Sequence, residues 1–502
     1  MLNDYLETNI KNKLNLLSIF YANHTISHKD LCAALHLSLP SVTSLVEDFN
    51  LDLTGFGKVT KQASVFSFSI YTPANIFELF RLICKTSSVL QCLKFMICND
   101  KKRPFSEFVD QEYLTKSSAY RIRQNCRNYL LRIGLDMKDN RVVGEEYRIR
   151  FLIGLLHYKY GIDCYVFDEE SLQLIRSFIL STNSTIDGAY LEQTSHEYGY
   201  FEYLIFLSWK RKEYPLSSLV SNRLEKFKQL FIYEDLKKAL QKTIEPVLDI
   251  QFSKFDYDYI YLVYCCTSSC LFADKWTPCS AKMLHSIASS DKIFADLLLR
   301  LDRAFGTKVQ TSRALRTTMI YFYKKCLLEL YCIIPDTNFF IRPEKGKLTF
   351  KIAKILTGIF KEWQEANDLV YPINNHHLFY LALQMEFILL QFMEPVKVFI
   401  LSDFNAELQV MNLYFTKNFS SDKITVIPFL LNTQPKDVLL SQKDSVIIVH
   451  KKFESAVSAL GLANQNIVIP VTVEINDDTM DSILKAISYF EKKRFLQFIN
   501  DN

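Results

Sequence analysis

Glycine and proline are scarce in this chain, 12 and 13 in 502 residues. Few chain breakers beside abundant leucine and 39 phenylalanines predict a mainly α, multidomain protein. No Gly-rich phosphate loop, nucleophile elbow or catalytic constellation is present, so neither an enzyme nor a cofactor is expected. A strong charge of one sign is also missing, since 59 Lys+Arg against 55 Asp+Glu leave +4. No apolar run is long enough to span a bilayer. The best candidate, Leu378 to Met393, contains Gln384, Glu386 and Gln391. The opening Met1-Leu-Asn-Asp-Tyr-Leu-Glu7 has no basic region followed by an apolar one. The expectation is a soluble, cytoplasmic chain of three to five domains without membrane contact. Its 12 cysteines fit reduced thiols. Cys265, Cys266 and Cys270 cluster, but no histidine or further pair completes a zinc site, so no metal is expected.

The charge is unevenly placed. Residues 1–160 hold 21 Lys+Arg and 15 Asp+Glu, whereas residues 161–502 hold 38 and 40. The positive excess therefore lies in the N-terminal third, as expected when one region touches a polyanion. Tyr113 to Leu135 concentrates it, with Lys116, Arg121, Arg123, Arg127 and Arg132 and no acidic residue. Ala119, Ile122, Cys126, Tyr129, Leu130 and Ile133 recur at the spacing of one buried helical face. Ser117, Ser118, Tyr120, Arg121, Gln124 and Arg127 belong to the first turns and the polar side, groups suited to base edges and phosphates. A shorter helical run, Phe105 to Leu114, precedes this stretch. Leu135 to Gly144 follows as two extended pieces around a polar turn, with Lys138 and Arg141 at its tip. The order reads as helix, turn, recognition helix and wing. An ordinary amphipathic helix with a solvated basic face fits the same pattern.

A second, weaker helix-turn-helix lies upstream. Leu14 to Tyr21 reads as a helix, and Ser27 caps a run through Leu31, Ala34 and Leu35. His36 to Leu39 is the turn, and Pro40 suits the start of the next helix. Val42, Leu45, Val46 and Phe49 are its expected core, leaving Ser41, Thr43 and Ser44 outward. That helix carries Glu47 and Asp48 and no cation, a poor phosphate clamp. A wing with Lys58 and Lys61 follows, with Val65, Phe66, Phe68 and Ile70 in strands. The alternative is a packing module.

Two strings carry a resemblance. Thr115-Lys-Ser-Ser-Ala-Tyr-Arg-Ile-Arg-Gln124 and Val142-Val-Gly-Glu-Glu-Tyr-Arg-Ile-Arg-Phe-Leu-Ile-Gly-Leu-Leu-His-Tyr-Lys-Tyr-Gly161 resemble the second helix-turn-helix and exit helix of the Mga/AtxA/RofA-type virulence regulators of Gram-positive bacteria, the RofA-like branch nearest. The resemblance covers the whole length. It implies a first helix-turn-helix module at 1–72 and a second, winged one at 73–162. Two helical domains regulated by the sugar phosphotransferase system follow at 163–280 and 281–393, then an enzyme-IIB-like α/β domain at 394–502. It implies a transcriptional regulator acting as an activator of surface or virulence genes. Double-stranded promoter DNA, a second copy of itself and a phosphocarrier protein are the implied partners.

The remaining sequence suits that order. Helical runs are expected at Glu169–Leu180, Phe201–Lys212, Ser221–Phe231, Tyr233–Thr243 and Tyr257–Phe272. A second set is expected at Ser290–Phe305, Ser312–Tyr331, Phe350–Asn367 and His376–Met393. Short β-branched strands at Val396–Leu401, Lys423–Ile427, Ser445–Val449 and Ile467–Ile469, with helices at Ala406–Phe415 and Thr479–Phe498, predict a small parallel sheet. A phosphohistidine donor can transfer to an accessible imidazole, and the added charge can shift a helical interface. His196, His285, His376 and His377 are the candidates, with His196 and His377 foremost. A structural or surface histidine is the competing reading for each, and His157 reads as packing. Enzyme IIB relatives phosphorylate a cysteine after the first strand. Here that loop is Ser402-Asp403-Phe404-Asn405 and no cysteine follows Cys332, so self-association is the expected role. Two other classes stay open. An RNA-binding antiterminator is disfavoured by the helix-turn-helix modules, and a phosphotransferase enzyme by the missing cysteine.

Overall fold

The computed structural model describes residues 2–71, 75–182, 195–267, 271–272, 275–306, 312–335, 347–472 and 476–501. It divides into two compact units. The first comprises Met1–Ala295, Met319–Arg342 and Gln364–Leu378; the second comprises Asp296–Thr318, Pro343–Trp363 and Phe379–Asn502.

The first unit opens with a winged helix. Helices α1 (Leu2–Tyr5) and α2 (Thr8–Ala22) precede strand β1 (Thr25–Ser27), α3 (His28–Leu35), α4 (Leu39–Asp52), β2 (Gly57–Gln62) and β3 (Val65–Ile70). The strands form an antiparallel sheet in the order β1-β3-β2. Ser27 caps α3 by accepting from the Asp30 N–H, and left-handed His36 ends it. Ser38 caps α4, whose Val42, Leu45, Val46 and Phe49 are buried as the periodicity requires. Asn50 clamps α4 to the wing: its Oδ1 accepts from Val59 N–H at 2.7 Å and its Nδ2 donates to Val59 O at 2.9 Å.

A second such module follows, with α5 (Ile76–Lys85), α6 (Ser88–Ile97), α7 (Phe105–Gln111), α8 (Lys116–Arg132) and a two-stranded hairpin of β4 (Leu135–Lys138) and β5 (Arg141–Gly144). The chain leaves through α9 (Glu146–Tyr160), closed by left-handed Gly161. Fourteen of the 15 residues of α9 are buried, so it is a core helix despite Glu146, Arg148, Arg150 and Lys159.

The helical region runs through α10 (Glu169–Thr182), α11 (Ser195–Lys210), α12 (Ser218–Leu224), α13 (Phe231–Leu248), α14 (Lys254–Cys266), α15 (Pro278–Ser289), α16 (Lys292–Phe305), α17 (Arg313–Cys326), α18 (Leu348–Ala366) and α19 (Asn375–Leu390). Three differences from the sequence reading have physical causes. The expected Ser221–Phe231 helix stops at Leu224, continues as a 3-10 turn at Phe227–Gln229, and restarts at Phe231 after extended Leu230. Helix α15 was not expected; Thr277 caps it and Pro278 opens it. The expected Ser312–Tyr331 helix ends at Cys326, because Leu328 and Glu329 take left-handed φ of 57° and 52°. That kink turns their carbonyls onto the Arg148 guanidinium. Cys265 and Cys266 are buried on α14, Cys270 lies outside the described residues, and no group of three or more possible metal ligands occurs among the described residues. No described helix is long and apolar enough to cross a membrane.

The second unit contains a four-stranded parallel sheet. Strands β6 (Val396–Ser402), β7 (Ile424–Leu430), β8 (Val446–His450) and β9 (Ile467–Val471) lie in the order β7-β6-β8-β9. Val396, Val398 and Ile400 face one side with α20 (Asn405–Asn418) and α23 (Asp477–Asp501). Phe399 and Leu401 face the other with the short helices α21 (Lys436–Leu440) and α22 (Glu454–Ala459). Both faces are covered, as parallel sheets require. After β6, Asp403 pairs with Lys452 at 2.8 Å and Ser402 Oγ donates to Glu407 at 2.8 Å.

Candidate nucleic-acid interface

Helix α8 starts where Thr115 can cap it. The Thr115 hydroxyl accepts from Ser118 N–H at 3.3 Å, donates to Ser118 Oγ at 3.0 Å and lies 3.2 Å from Ser117 Oγ. Its inner face is Ala119, Ile122, Cys126, Tyr129, Leu130 and, just beyond the helix, Ile133, none more than 4% exposed. Burial of each large apolar chain contributes about 1.5–3 kcal/mol, so this face fixes how the helix is presented. Lys116, Ser117, Tyr120, Arg121, Arg123, Gln124 and Arg127 are exposed, and Ser118 is half-buried. Tyr120 stands 73% exposed, too open for a packing role. The positive end of the helix dipole and its free amides add to the cations there.

The basic residues divide by their partners. Lys116, Arg121 and the wing's Lys138 are exposed and form no ion pair among the described residues. Arg127 lies 3.9 Å from Asp136, with both side chains about half exposed, a contact weak in water. Gln124 donates to Asn128 along the helix at 2.9 Å. Arg123 is positioned rather than free. It stacks over Phe105 of α7 at 5.4 Å and donates to Asn140 Oδ1 at 3.1 Å. Arg141 is half-buried and pairs with Asp100 at 3.1 Å.

The wing turn is Asp139-Asn140, with φ of 52° and 57° at the two central positions. Asp and Asn tolerate this left-handed pair, whose twist suits a two-residue hairpin. Asn99, fully buried, donates to Asn140 O at 3.1 Å and so fixes the wing tip to the turn after α6. That turn carries exposed Lys101 and Lys102. The sequence reading passed over Asn99 and these lysines, although the run Lys101-Lys102-Arg103 was a visible signal.

The first module offers less. Ser44 is exposed, and Ser41 Oγ is engaged with the capping Ser38 Oγ at 2.9 Å. Thr43, expected outward, is half-buried and donates to Leu39 O at 3.0 Å, the back-bond typical of threonine inside a helix. Lys58 and Lys61 are exposed on β2.

Two buried clusters fasten the reading head to the helical region. Arg148 of α9 donates to Ile133 O at 2.9 Å and Leu328 O at 2.6 Å, and lies over the Tyr371 ring at 4.2 Å. Glu146 receives Arg150 Nε at 2.9 Å and the Arg211 fork at 2.7 and 2.9 Å. Burial opposes the charge on Arg211, but its hydrogen bonds to Glu146 outweigh that and hold its pKa above the ordinary value. The motif Glu-Tyr-Arg-Ile-Arg is therefore a fastening device.

Of the histidines, His196 falls in α11, but its side chain lies outside the described residues. His285 is half-buried on α15. His377 is buried with Nε2 3.2 Å from Ile334 O, so that nitrogen carries its proton toward a carbonyl. His376 is half-buried in the first turn of α19 and borders a cavity. His157 stacks on Tyr203 at 3.6 Å and lies 2.6 Å from Asp163, a polar contact as well as packing.

Sequence comparison agrees with this layout. Residues 74–157 match the Mga helix-turn-helix domain. Residues 173–388 match the PRD domain of the M protein trans-acting positive regulator (MGA). No curated protein matches the chain significantly. The two family matches together cover more than half of the chain and fall in the family's order, without separating the RofA-like branch from the others. With a helix-turn-helix of that family followed by its regulatory domain, the chain belongs to the Mga/AtxA/RofA-type DNA-binding transcriptional regulators under phosphotransferase control.

Proposed function

We propose that the protein is a cytoplasmic transcriptional activator that reads promoter DNA chiefly through α8 and its wing. The observation that carries this is the division of α8: one face is core, and the other presents Lys116, Tyr120 and Arg121 with no ion-pair partner for the cations among the described residues. Lys116, Ser117, Ser118 and Arg127 hold phosphate, Arg121, Gln124 and Tyr120 face base edges, and Arg123 and Arg141 set the wing so that Lys138 follows the backbone. Ser41 and Ser44 make a secondary contact. Arg121→Ala should weaken binding to the protein's own promoter region by about 1–3 kcal/mol, and Ser44→Ala by less. With about six cations neutralising phosphates, log affinity against log salt should fall with a slope of about −5 per protomer. A flat titration, or a Ser44→Ala loss exceeding that of Arg121→Ala, overturns the assignment.

Histidine phosphorylation by a phosphocarrier protein adjusts this activity. In the second regulatory bundle His376 is the favoured acceptor, because His377 is buried against a carbonyl. His196 is the favoured acceptor in the first, and His285 a lesser candidate. Acid-labile labelling by the general phosphotransferase proteins, lost in His196→Ala and His376→Ala, checks this; label that survives both changes, or acid-stable label, contradicts it. The domains are proposed in the expected order, 1–72, 73–162, 163–280, 281–393 and 394–502, although the 280/281 limit falls inside α15. The last domain joins two copies. Helix α20 supports this, since it buries Leu408 and Phe415 while Val410 and Leu413 stay 66% exposed. A dimer suits paired half-sites. Truncation from Pro395 should lower the number of copies per sedimenting particle at micromolar concentration; an unchanged oligomeric state moves the interface into the helical bundles.

A further inference from the structure

Cys98 and Cys164 lie 66 positions apart and meet within the first unit. Cys98 closes α6, its N–H donating to Lys94 O at 3.0 Å. Cys164 lies shortly after Gly161, which ends α9. The Cys98 thiol donates to Cys164 O at 3.4 Å and is also hydrogen-bonded to the Cys164 side chain. Both cysteines are half-buried. Their chain neighbours hold them in place. Asp163 lies 2.6 Å from His157 Nδ1, and the Tyr165 hydroxyl accepts from Arg211 Nη1 at 2.6 Å. Asn99 is fully buried, and its Oδ1 accepts from Arg103 N–H at 2.8 Å.

The two thiols are unequal. The hydrogen bond with Cys164 holds the Cys98 thiol below its ordinary pKa against burial, and the charges of Lys94 and Arg211 help. The same hydrogen bond, together with burial, pushes Cys164 well above its ordinary value. The thiolate is the attacking species in disulfide chemistry, so Cys98 is the nucleophile and Cys164 the thiol that resolves. Cys92 and Cys126 are also hydrogen-bonded neighbours. They differ in being fully buried, and burial pushes Cys126 well above its ordinary value.

We propose that Cys98 and Cys164 form a thiol–disulfide switch, oxidised by a low-molecular-weight disulfide, that fixes the turn beneath the wing of the second module. Cys98 Sγ⁻ attacks one sulfur of the external disulfide; that S–S bond breaks, a mixed disulfide forms and one external thiolate leaves. Cys164 then gives up its proton and attacks Cys98 Sγ, and the second external thiolate leaves. The protein loses two electrons and two thiol protons, and the external disulfide becomes two thiols. An S–S bond of about 2.05 Å replaces the hydrogen-bonded contact. Inside a cell such bonds are usually transient and sensing. The turn concerned is where the wing is anchored. Asn99 Nδ2 donates to Asn140 O at the wing tip at 3.1 Å, and Asp100 pairs with Arg141 of the wing at 3.1 Å while accepting from the Tyr214 hydroxyl at 2.7 Å. Local openings that free the wing require this turn to move, and a covalent tie to the segment after α9 makes them rarer.

The test incubates the full-length protein with oxidised glutathione, blocks remaining thiols with iodoacetamide and maps the peptides by mass spectrometry. The inference borrows from the proposed function only the identity of the wing, and no DNA is present, so its failure is separate from failure of the DNA-reading assignment. The expected result is a linked Cys98–Cys164 peptide with loss of alkylation at both positions, while buried Cys92 and Cys126 form no link. Cys164→Ser should stop the reaction at a glutathione adduct on Cys98, and Cys98→Ser should leave Cys164 unoxidised. Hydrogen exchange of Leu135–Gly144 should slow in the oxidised wild type and return to its starting rate on reduction. The wild type alone decides the pairing, whether or not the variants fold. Cys98 and Cys164 that stay reduced, or a glutathione adduct on wild-type Cys98 that never resolves to the link, overturns the switch. A link that leaves wing exchange unchanged or faster overturns its control of the wing.

Discussion

Glu146 is the single carboxylate between two buried guanidiniums, and neutralising it should loosen the junction between the reading head and the helical region. Glu146, Arg150 and Arg211 are 7%, 0% and 3% exposed. Three charge-assisted hydrogen bonds of 2.7–2.9 Å converge on the carboxylate. Arg150 also donates to Arg211 O at 2.8 Å and lies over the Tyr259 ring at 4.7 Å, while Arg211 lies over Tyr214 at 3.9 Å. The cluster already holds one more positive than negative charge, and Arg150 Nη1 has no hydrogen-bond partner among the described residues. Glu146→Gln keeps the shape but turns the surplus into two unneutralised buried cations. At an effective dielectric of about 20, each ion pair at about 4 Å is worth roughly 4 kcal/mol, and breaking a buried pair typically costs about 3–5 kcal/mol.

The expected result is a loss of about 3–5 kcal/mol in urea unfolding followed by tryptophan fluorescence, with Trp209 on α11 close to the cluster in sequence. With a slope near 2–3 kcal/mol/M this is a midpoint shift of roughly 1–2 M. Replacing Glu146 and Arg211 together by Leu and Met should regain part of the loss, because the second cation is removed with its partner. A Glu146→Gln midpoint within error of the exposed control Glu170→Gln would refute the reasoning, since it would mean that water already screens the cluster.

Three further outcomes are expected. Burial raises the Glu202 carboxyl from its ordinary value to about 7, against the opposing charge of Arg176 at 3.6 Å. The folded state therefore holds this proton more tightly than the unfolded chain. Its stabilising contribution is complete below about pH 4.5 and is lost as pH rises through 7, a change of up to about 3 kcal/mol. Glu202→Gln should flatten wild-type melting midpoints across that window, and an unaltered slope argues against the shift. Gly134, at φ +76°, would place a Cβ 2.5 Å from the Tyr371 hydroxyl, so Gly134→Ala should destabilise by about 2 kcal/mol or more in the same unfolding assay. Arg123→Ala should reduce DNA affinity chiefly by releasing the wing, so Asn140→Ala should reproduce much of its effect; independent, additive losses in a double-mutant cycle would separate Arg123 from the wing.

The recognition helix was legible because everything that defines it is local. Apolar spacing names its buried face, Thr115 its start, and Asp139-Asn140 the tight wing turn; each acts within about four residues. The parallel sheet was legible for a related reason, since Val396–Leu401 and Ser445–Val449 are runs too apolar to be anything but covered strands. Thr43 was misplaced although Ser44 beside it was not. Both are small hydroxyl residues on a polar stretch, and only the Thr43 back-bond to Leu39 O distinguishes them.

The long-range pairings escaped because charge in a sequence does not announce its partner. Arg148 and Arg150 stand in one short string with Arg141 and look equally suited to phosphate. Arg148 instead finds carbonyls 15 and 180 positions away, and Arg150 a carboxylate one helical turn before it that also serves Arg211, 65 positions from Glu146. The same contacts explain the failed Ser312–Tyr331 helix: its apolar periodicity is intact, but the guanidinium of Arg148 requires two carbonyls to leave the helical direction at Leu328 and Glu329. An arginine in this chain is thus assigned to DNA or to the scaffold by what lies opposite it. Where acceptors are already in place it is a fastener; at Arg121, exposed and without an ion pair among the described residues, the guanidinium is left to water or to a partner.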